Sequence, residues 1–508
     1  KEKNRMNHRF ASIAASAFFV WLAFAMSCAD ARQGDVPYSL AGEAKAAAEL
    51  PIIDVAALDA AQRRADIDTE QKTTAPRDKR QRVADDNAVS VSPQHDGTWM
   101  DLPDGSRLWQ VHVRARGATD LRLGFDRYAL PAGATLYVIG ADRYYQGPYT
   151  MADAYAGRFQ APLVPGDLAT IELRVPAGTA LADDALELTS VGAGFRDAFG
   201  RDDDAKLGSP GAAGSCNVDV VCPLGQHYSD DIRAVAYIEF KDDIDHDYYL
   251  CSGTLLADVP RDHRNFFLTA AHCIDSATEA ASLIAYWNYQ STRCGSLAAP
   301  ASGFFNDDQH GAALRATRAD ADFSLLELSQ APDPAWNVYY AGWDAAGAPP
   351  AGTIGLHHPH GDVNKITAGP APATTDNCIG TGGTSTNTHW LTGPYSQGTT
   401  EGGSSGSGLF VLFGAGGPAR RLIGTLSGGD AACNGTLPNA ENDCYGKFAV
   451  AWNGPSAATR LRDWLDPANS GTTGQDGGDT PALSVPGHSR HAFPVHFIRL
   501  QAAPPSAD

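Results

Sequence analysis

Short runs in which apolar and polar residues alternate, broken by Gly, Pro and Asp, fill two long stretches of the chain. In the first, residues 108–113, 121–125, 136–139 and 171–175 form such runs within 99–195. Their spacing predicts a small antiparallel β-sandwich. In the second, residues 234–240, 266–269, 282–289, 323–328, 409–413, 422–426 and 448–452 run through 216–466 and predict a mostly antiparallel β domain. Helical periodicity is nearly absent until Ser456. That residue is placed to cap a segment carrying Leu461, Trp464 and Leu465 at three- and four-residue spacing, which Pro467 closes. The expected fold class is all-β with one C-terminal helix, and no internal repeat is present.

The remaining segments lack these patterns. Residues 32–90 are Ala-rich and charged, with basic pairs at Arg63-Arg64 and Lys79-Arg80, and predict a flexible or partly helical leader that serves as spacer. Residues 200–214 are polar and rich in Gly and Asp, a plausible processing linker. Beyond Pro467 a Gly-, Thr- and Asp-rich stretch predicts a flexible tail over 468–508. At the other end, Arg5 and Arg9, an apolar run over 11–26 and Ala29-Asp30-Ala31 have the three parts of an export signal, cut after Ala31. The apolar run is short for a membrane span. Ala25-Met26-Ser27-Cys28 leaves lipid anchoring through Cys28 as an alternative to full secretion.

Composition narrows the partners. A formal charge of -20 over 508 residues repels nucleic acid and anionic membranes, so neither is expected as a partner, whereas cationic substrates are attracted. Of nine cysteines, one lies in the export signal and eight fall between Cys216 and Cys444, which in an exported chain implies a disulfide framework. The spacing required of a zinc site is missing, as is a loop of the EF-hand type. No metal or other cofactor is expected, and the protein is expected to act as a monomer.

Three segments carry candidate chemistry. Ser405 lies in Gly402-Gly403-Ser404-Ser405-Gly406-Ser407-Gly408, where glycines free the backbone N–H groups to point at a carbonyl oxygen. A serine hydroxyl is a weak nucleophile until a base takes its proton. Phe267-Leu268-Thr269-Ala270-Ala271-His272-Cys273 supplies a histidine at the end of an apolar strand, and Ala321-Asp322-Phe323 places an acid at the mouth of another. A carboxylate there can hold the imidazole in the tautomer whose second nitrogen acts as base. The order His272, Asp322, Ser405 with long separations is that of chymotrypsin-type proteases, not of subtilisins or α/β-hydrolases. His310, His357, His358, His360 and His389 have no such context and read as structural.

The region 216–467 resembles the bacterial lysyl endopeptidases, a branch of the trypsin-like serine proteases. The resemblance runs through Ser215-Cys216-Asn217-Val218-Asp219-Val220-Val221-Cys222-Pro223, the His272 strand, Tyr286-Trp287-Asn288-Tyr289-Gln290, the Asp322 strand, Ala341-Gly342-Trp343-Asp344, His357-His358-Pro359, the Ser405 turn and Trp464-Leu465-Asp466-Pro467. It implies a chymotrypsin-like double β-barrel, with His272 as general base, Asp322 as its orienter and Ser405 as nucleophile. The backbone N–H groups of Gly403 and Ser405 would form the oxyanion hole, and Asp443 would be the acid of the lysine pocket. The family's bridges map onto Cys216–Cys433, Cys222–Cys294 and Cys251–Cys273, which leaves Cys378 and Cys444 as a further pair that the family pattern lacks. The division implied is a signal at 1–31, a leader at 32–90, a β-rich propeptide domain at 91–206, the protease at 207–467 and the tail at 468–508.

The chain departs from that pattern in three places. Ser404 stands where vertebrate-type trypsins carry an aspartate, so activation must come from removing an inhibitory leader, the chain's own propeptide. Ser427 stands where the family is expected to carry a histidine that stacks in the active site. Gly408 replaces a proline after the nucleophile turn. Lys206 is the only lysine between the sandwich and Cys216, so cutting after it would release the protease near Leu207. Two rival readings remain for the same residues: an arginine-accepting or broad tryptic protease acting on protein or peptide substrates, and a catalytically dead secreted binding or adhesin homologue.

Overall fold

The computed structural model describes residues 36–41, 50–74, 77–200, 212–295, 301–302, 307–380, 385–414 and 420–479. The proposed export signal, Lys206 and the last part of the tail lie outside them.

In the N-terminal region a six-stranded sheet is built on Arg107–Arg114 and Leu168–Val175 at its centre, with Thr135–Ile139 and Tyr145–Tyr149 on one side and Ile52–Asp54 and Thr98–Asp101 on the other. Its inner residues Trp109, Val111, Leu136 and Ile171 pack against Leu121, Leu123, Phe159 and Leu188 of a second sheet. That second sheet carries Asp120–Tyr128, Phe159–Pro165 and Leu186–Gly194. Alternation along each strand provides the shared core, as a sandwich requires.

The strands of the C-terminal region form two groups, the first continuous with the second sheet of the sandwich and the other a separate sheet. One joins Val235–Lys241, Tyr248–Leu255, Phe266–Thr269 and Phe323–Leu328; the other joins Gly352–His357, Lys365–Pro370, Gly408–Val411, Leu422–Gly429, Asp443–Lys447 and His389–Thr392. Phe266, Leu268, Phe323 and Leu325 of the first meet Ile354, Leu356, Phe410 and Leu422 of the second in one core, closed below by Trp343, Phe448 and Trp452. This is an all-β, chymotrypsin-like arrangement, although among the described residues neither ladder closes on itself. Four disulfides cross it: Cys216–Cys433, Cys222–Cys294, Cys251–Cys273 and Cys378–Cys444.

Several expectations change. The segment read as spacer is structured where it is described: Ala60–Thr74 is a helix and Gln81–Val91 a strand. That strand pairs on one side with Leu186–Gly194 and on the other with Tyr248–Leu255, so it fuses the sandwich to the C-terminal region in one continuous sheet. Its acids are satisfied by ion pairs, Asp85 with Arg63 at 2.7 Å and Asp86 with Lys241 at 2.7 Å, while Val83, Ala84 and Val91 enter the buried cores. Residues 448–452, read as a strand, form the helix Phe448–Trp452, and the single C-terminal helix expected after Ser456 is two short pieces, Ala457–Thr459 and Arg462–Leu465. The tail is pinned at its start, where Gly474–Gln475 pairs with Trp343–Asp344 and Gly478–Asp479 with Tyr339–Tyr340. No helix among the described residues is long and apolar enough to cross a membrane.

Candidate active site

Strand pairing brings two of the candidate residues together. Thr269 lies opposite Ser324 in the ladder between Phe266–Thr269 and Phe323–Leu328. His272 leaves one end of that ladder and Asp322 enters at the same end. The Cys251–Cys273 bridge ties the residue after His272 to the neighbouring strand. Asp322 adopts a positive φ of 45° and is wholly buried. Its carboxylate accepts the His272 backbone N–H at 3.0 Å and lies 2.8 Å from Nδ1, while Nε2 is 2.7 Å from Ser405 Oγ.

Ser405 comes from the other sheet, and the strand Tyr248–Leu255 stitches its turn in place. Ser252 donates its N–H to the Ser405 carbonyl at 2.8 Å and its hydroxyl to the Gly403 carbonyl at 3.0 Å. Gly403 sits at φ 90°, and a Cβ there would lie 2.3 Å from Leu250 Cδ1, so the turn requires glycine. Ser404 is buried with its hydroxyl 2.8 Å from His357 Nδ1 and accepts the Glu401 N–H at 3.2 Å. The turn is therefore formed without a buried N-terminal ammonium.

Charge follows from this packing. Burial would lower the His272 pKa, but the carboxylates of Asp322 and Asp78 outweigh it and the net shift is upward. Burial would raise Asp322, but the His272 charge and hydrogen bonds from His272 and Ser427 hold it below the usual carboxylate range. His358 and His389 are both pushed down to about 4 by burial and stay neutral. His357 is also pushed down by burial and hydrogen bonds only within the protein.

The structure shows where Ser427 lies. Its side chain is fully buried behind the relay, bonded to Asp322 and 2.9 Å from His389 Nε2. It cannot stack on a substrate. The residue that faces the cleft is Gly428, where a Cβ would lie 1.9 Å from the Arg77 carbonyl oxygen.

Asp443 is wholly buried at the floor of a pocket. Tyr395 donates its hydroxyl to one carboxylate oxygen at 2.9 Å and Thr400 does so at 2.5 Å, while the other oxygen accepts the Ala431 N–H at 3.3 Å. Tyr395 and Thr400 have no signature in the sequence, because each reaches the pocket only through the fold. The Cys378–Cys444 bridge braces the adjacent wall, with Cys378 Sγ 3.4 Å from the Gly428 carbonyl.

The pocket is filled by the chain itself. Lys79, also buried, sets its ammonium 2.6 Å from Asp443 and 2.8 Å from the Ala431 carbonyl, and it donates to the Thr400 hydroxyl as well. The Lys79 carbonyl accepts the Gly403 N–H. On one side Gly429 donates its N–H to the Arg77 carbonyl at 2.9 Å; on the other, Leu250 pairs with Gln81. The sequence marked Lys79-Arg80 as a basic pair of the leader, but nothing in it tied Lys79 to the Asp443 pocket.

Metal ligation has one geometric candidate among the described residues. Asp242, Asp243 and Glu279 bring carboxylate oxygens within 4.8 Å of one another, but Arg80 already pairs with Asp242 at 3.2 Å.

Residues 210–446 match the family model described as lysyl endopeptidase, C-terminal domain, and residues 50–192 match the lysyl endopeptidase N-terminal domain. A lysyl endopeptidase of Pseudomonas aeruginosa is 32% identical over 385 residues, spanning 72% of this chain and 78% of that relative. Two solved structures align more distantly. An HtrA-type protease, AlgW, with a tripeptide has a TM-score of 0.29 at 16% identity, over 44% of this chain and 59% of its own. The Rv3671c protease of M. tuberculosis in its active form has a TM-score of 0.30 at 15% identity, over 45% of this chain and 82% of its own.

Proposed function

The chain belongs to the lysyl endopeptidase family and is a serine endopeptidase, and we propose that it cuts after lysine, as an exported protease held inactive by its own N-terminal region. The observation that carries the lysine preference is the seating of Lys79 on Asp443. An ammonium has three donors, and Asp443, the Ala431 carbonyl and the hydroxyl and carbonyl of Thr400 surround it with acceptors. A guanidinium is longer and planar, so it would not fit where the carboxylate meets the ammonium nitrogen directly at 2.6 Å.

In this reading His272 takes the Ser405 proton as the hydroxyl attacks the carbonyl carbon of the seated lysine itself. Asp322 holds the imidazole and stabilises the imidazolium that forms. Charge develops on the carbonyl oxygen, which the N–H groups of Gly403 and Ser405 receive; one such donor is worth roughly 10²–10³ in kcat. His272 then protonates the leaving amine, and water releases the acyl-enzyme. The substrates are proteins and peptides, and the protease works as a monomer without metal, nucleic acid or membrane. Export through residues 1–31 and cutting after Lys206 complete the precursor scheme.

Hydrolysis of paired chromogenic peptides ending in Lys or Arg, by the matured protein and by its Ser405→Ala variant, tests this. Cleavage restricted to Lys and lost in the variant is expected. Equal Arg cleavage would leave only a broad tryptic protease, and no cleavage by a processed, disulfide-bonded sample would favour the binding homologue.

A further inference from the structure

Residues 77–81 occupy the cleft in the manner of a bound substrate. Arg77 and Gln81 pair with Gly429 and Leu250 on the two sides of the site, the Lys79 side chain fills the pocket, and the Lys79 carbonyl accepts the Gly403 N–H. A segment seated in this way presents the Lys79–Arg80 peptide bond to Ser405. A free peptide so placed would be cut and released.

Two features set this segment apart from a free peptide. Gln71, on the helix Ala60–Thr74, donates its side-chain amide to the Asp78 carbonyl at 2.9 Å and to the Arg80 carbonyl at 2.8 Å. One side chain thus spans the Lys79–Arg80 bond from both ends. The helix is itself anchored away from the cleft by Asp68 on buried Arg196 at 2.6 Å and by Arg63 on Asp85 at 2.7 Å. The second feature is Asp78, whose carboxylate accepts the Arg80 N–H at 2.8 Å and lies 3.4 Å from His272 Nε2, between the leaving nitrogen and the group that must protonate it. Beyond the bond, Arg80 is held by Asp242 and by the Tyr249 ring, 4.6 Å away, and the chain continues as a strand paired on both sides.

We propose that the N-terminal region is a substrate-like protease inhibitor whose reactive bond is Lys79–Arg80, with Gln71 clamping the two sides of that bond so that cutting it does not release them. This deepens the autoinhibited reading above and rests on it. Attack by Ser405 Oγ on the Lys79 carbonyl carbon would break the bond to the Arg80 nitrogen, and His272 would pass the serine proton to that nitrogen. With Gln71 holding both carbonyls, the new amine stays beside the acyl carbon at a high effective concentration and re-forms the peptide bond before water enters. The net result is a bond that persists in a competent site. Gln71 acts here as a positioning residue, since it touches neither reacting atom.

The test uses the full-length chain, wild type and with Gln71→Ala or Ser405→Ala, followed by intact mass and N-terminal sequencing over time. In wild type the Lys79–Arg80 bond should persist while maturation proceeds elsewhere. In Gln71→Ala a new N-terminus beginning Arg80-Gln81-Arg82 should appear at least about tenfold faster, the loss expected when the two hydrogen bonds that hold the acyl and leaving sides together are removed. In Ser405→Ala it should not appear at all. The Gln71→Glu variant keeps the shape but loses the donors and should behave like Gln71→Ala. Equal persistence in wild type and both Gln71 variants would overturn the clamp. Rapid cutting in wild type would make the segment a substrate and overturn the inhibitor. Lysine-peptide hydrolysis by the matured sample is read in parallel: if it is present while either of those results is found, this inference fails and the proposed function stands.

Discussion

Lys79 and Arg122 are both buried cations of the N-terminal region paired with a carboxylate of the protease region, yet the two pairs are built differently. Lys79 meets Asp443 through one nitrogen, in a pocket whose remaining acceptors are a carbonyl and a hydroxyl of the protease. Arg122 forks onto both oxygens of Glu239 at 2.9 Å each and brings Asp120 of its own strand, while Tyr237 donates to Glu239 at 2.6 Å. Under the proposed function a lysine-bearing substrate replaces Lys79, because every partner it uses stays with the protease. No substrate can replace Arg122, whose loss leaves Glu239 to find water. The first contact decides what competes with the N-terminal region; the second decides how firmly that region stays.

Removing the chemistry while keeping both contacts is the largest test. Ser405→Ala should lower peptide hydrolysis by roughly 10³–10⁶ and leave a chain that gel electrophoresis shows uncut and calorimetry shows as stable as wild type. Asp443→Asn strikes the exchangeable contact from the side that substrate and Lys79 share. Its kcat/KM on lysine peptides should fall by roughly 10²–10³, the usual cost of unpairing a buried ion, and a fall confined to kcat would argue against a binding role. Arg122→Met strikes the other contact alone and should weaken retention of the N-terminal region by about 2–5 kcal/mol. Activity should then appear at lower dilution of the processed sample, with the Lys-to-Arg preference of the freed protease unchanged. The smallest expected effect concerns pH. His272 faces Asp322, Asp78 and the opposing charge of Arg80, and the carboxylates leave its pKa raised. Only the neutral imidazole accepts a proton, so cutting at Lys79–Arg80 should fall away as pH drops through that raised value. Asp78→Asn, placed in the Gln71→Ala chain, should move this acid limb to lower pH, and an unmoved limb would remove Asp78 from the account.

The precursor contacts were invisible in the sequence for a reason visible in the strand Gln81–Val91. Its first seven residues carry only Val83 and Ala84 as apolar positions, and its acids are satisfied by ion pairs such as Asp86–Lys241, whose partners lie far along the chain. Charge and low hydrophobicity therefore read as spacer, although the segment is central in the sheet. From the sequence, Ser427 is read only by what the family carries at its place; in the fold its hydroxyl sits behind the relay on Asp322 and His389, and it is Gly428 that faces the cleft.

What the sequence by itself determined was local. Apolar runs of strand length marked the β regions, the glycines around Ser405 marked a turn that side chains would block, and the order of His272, Asp322 and Ser405 pointed to one class of proteases. These signals survive in isolation because each rests on a few neighbouring residues. Only the tertiary structure decided that Lys79 enters the Asp443 pocket, that Gln71 spans the next bond, and that Arg122 locks the two regions together. Those contacts join residues 364, 9 and 117 positions apart. Even the nearest of them depends on a helix whose place is set by distant ion pairs, and no local pattern encodes such a partner.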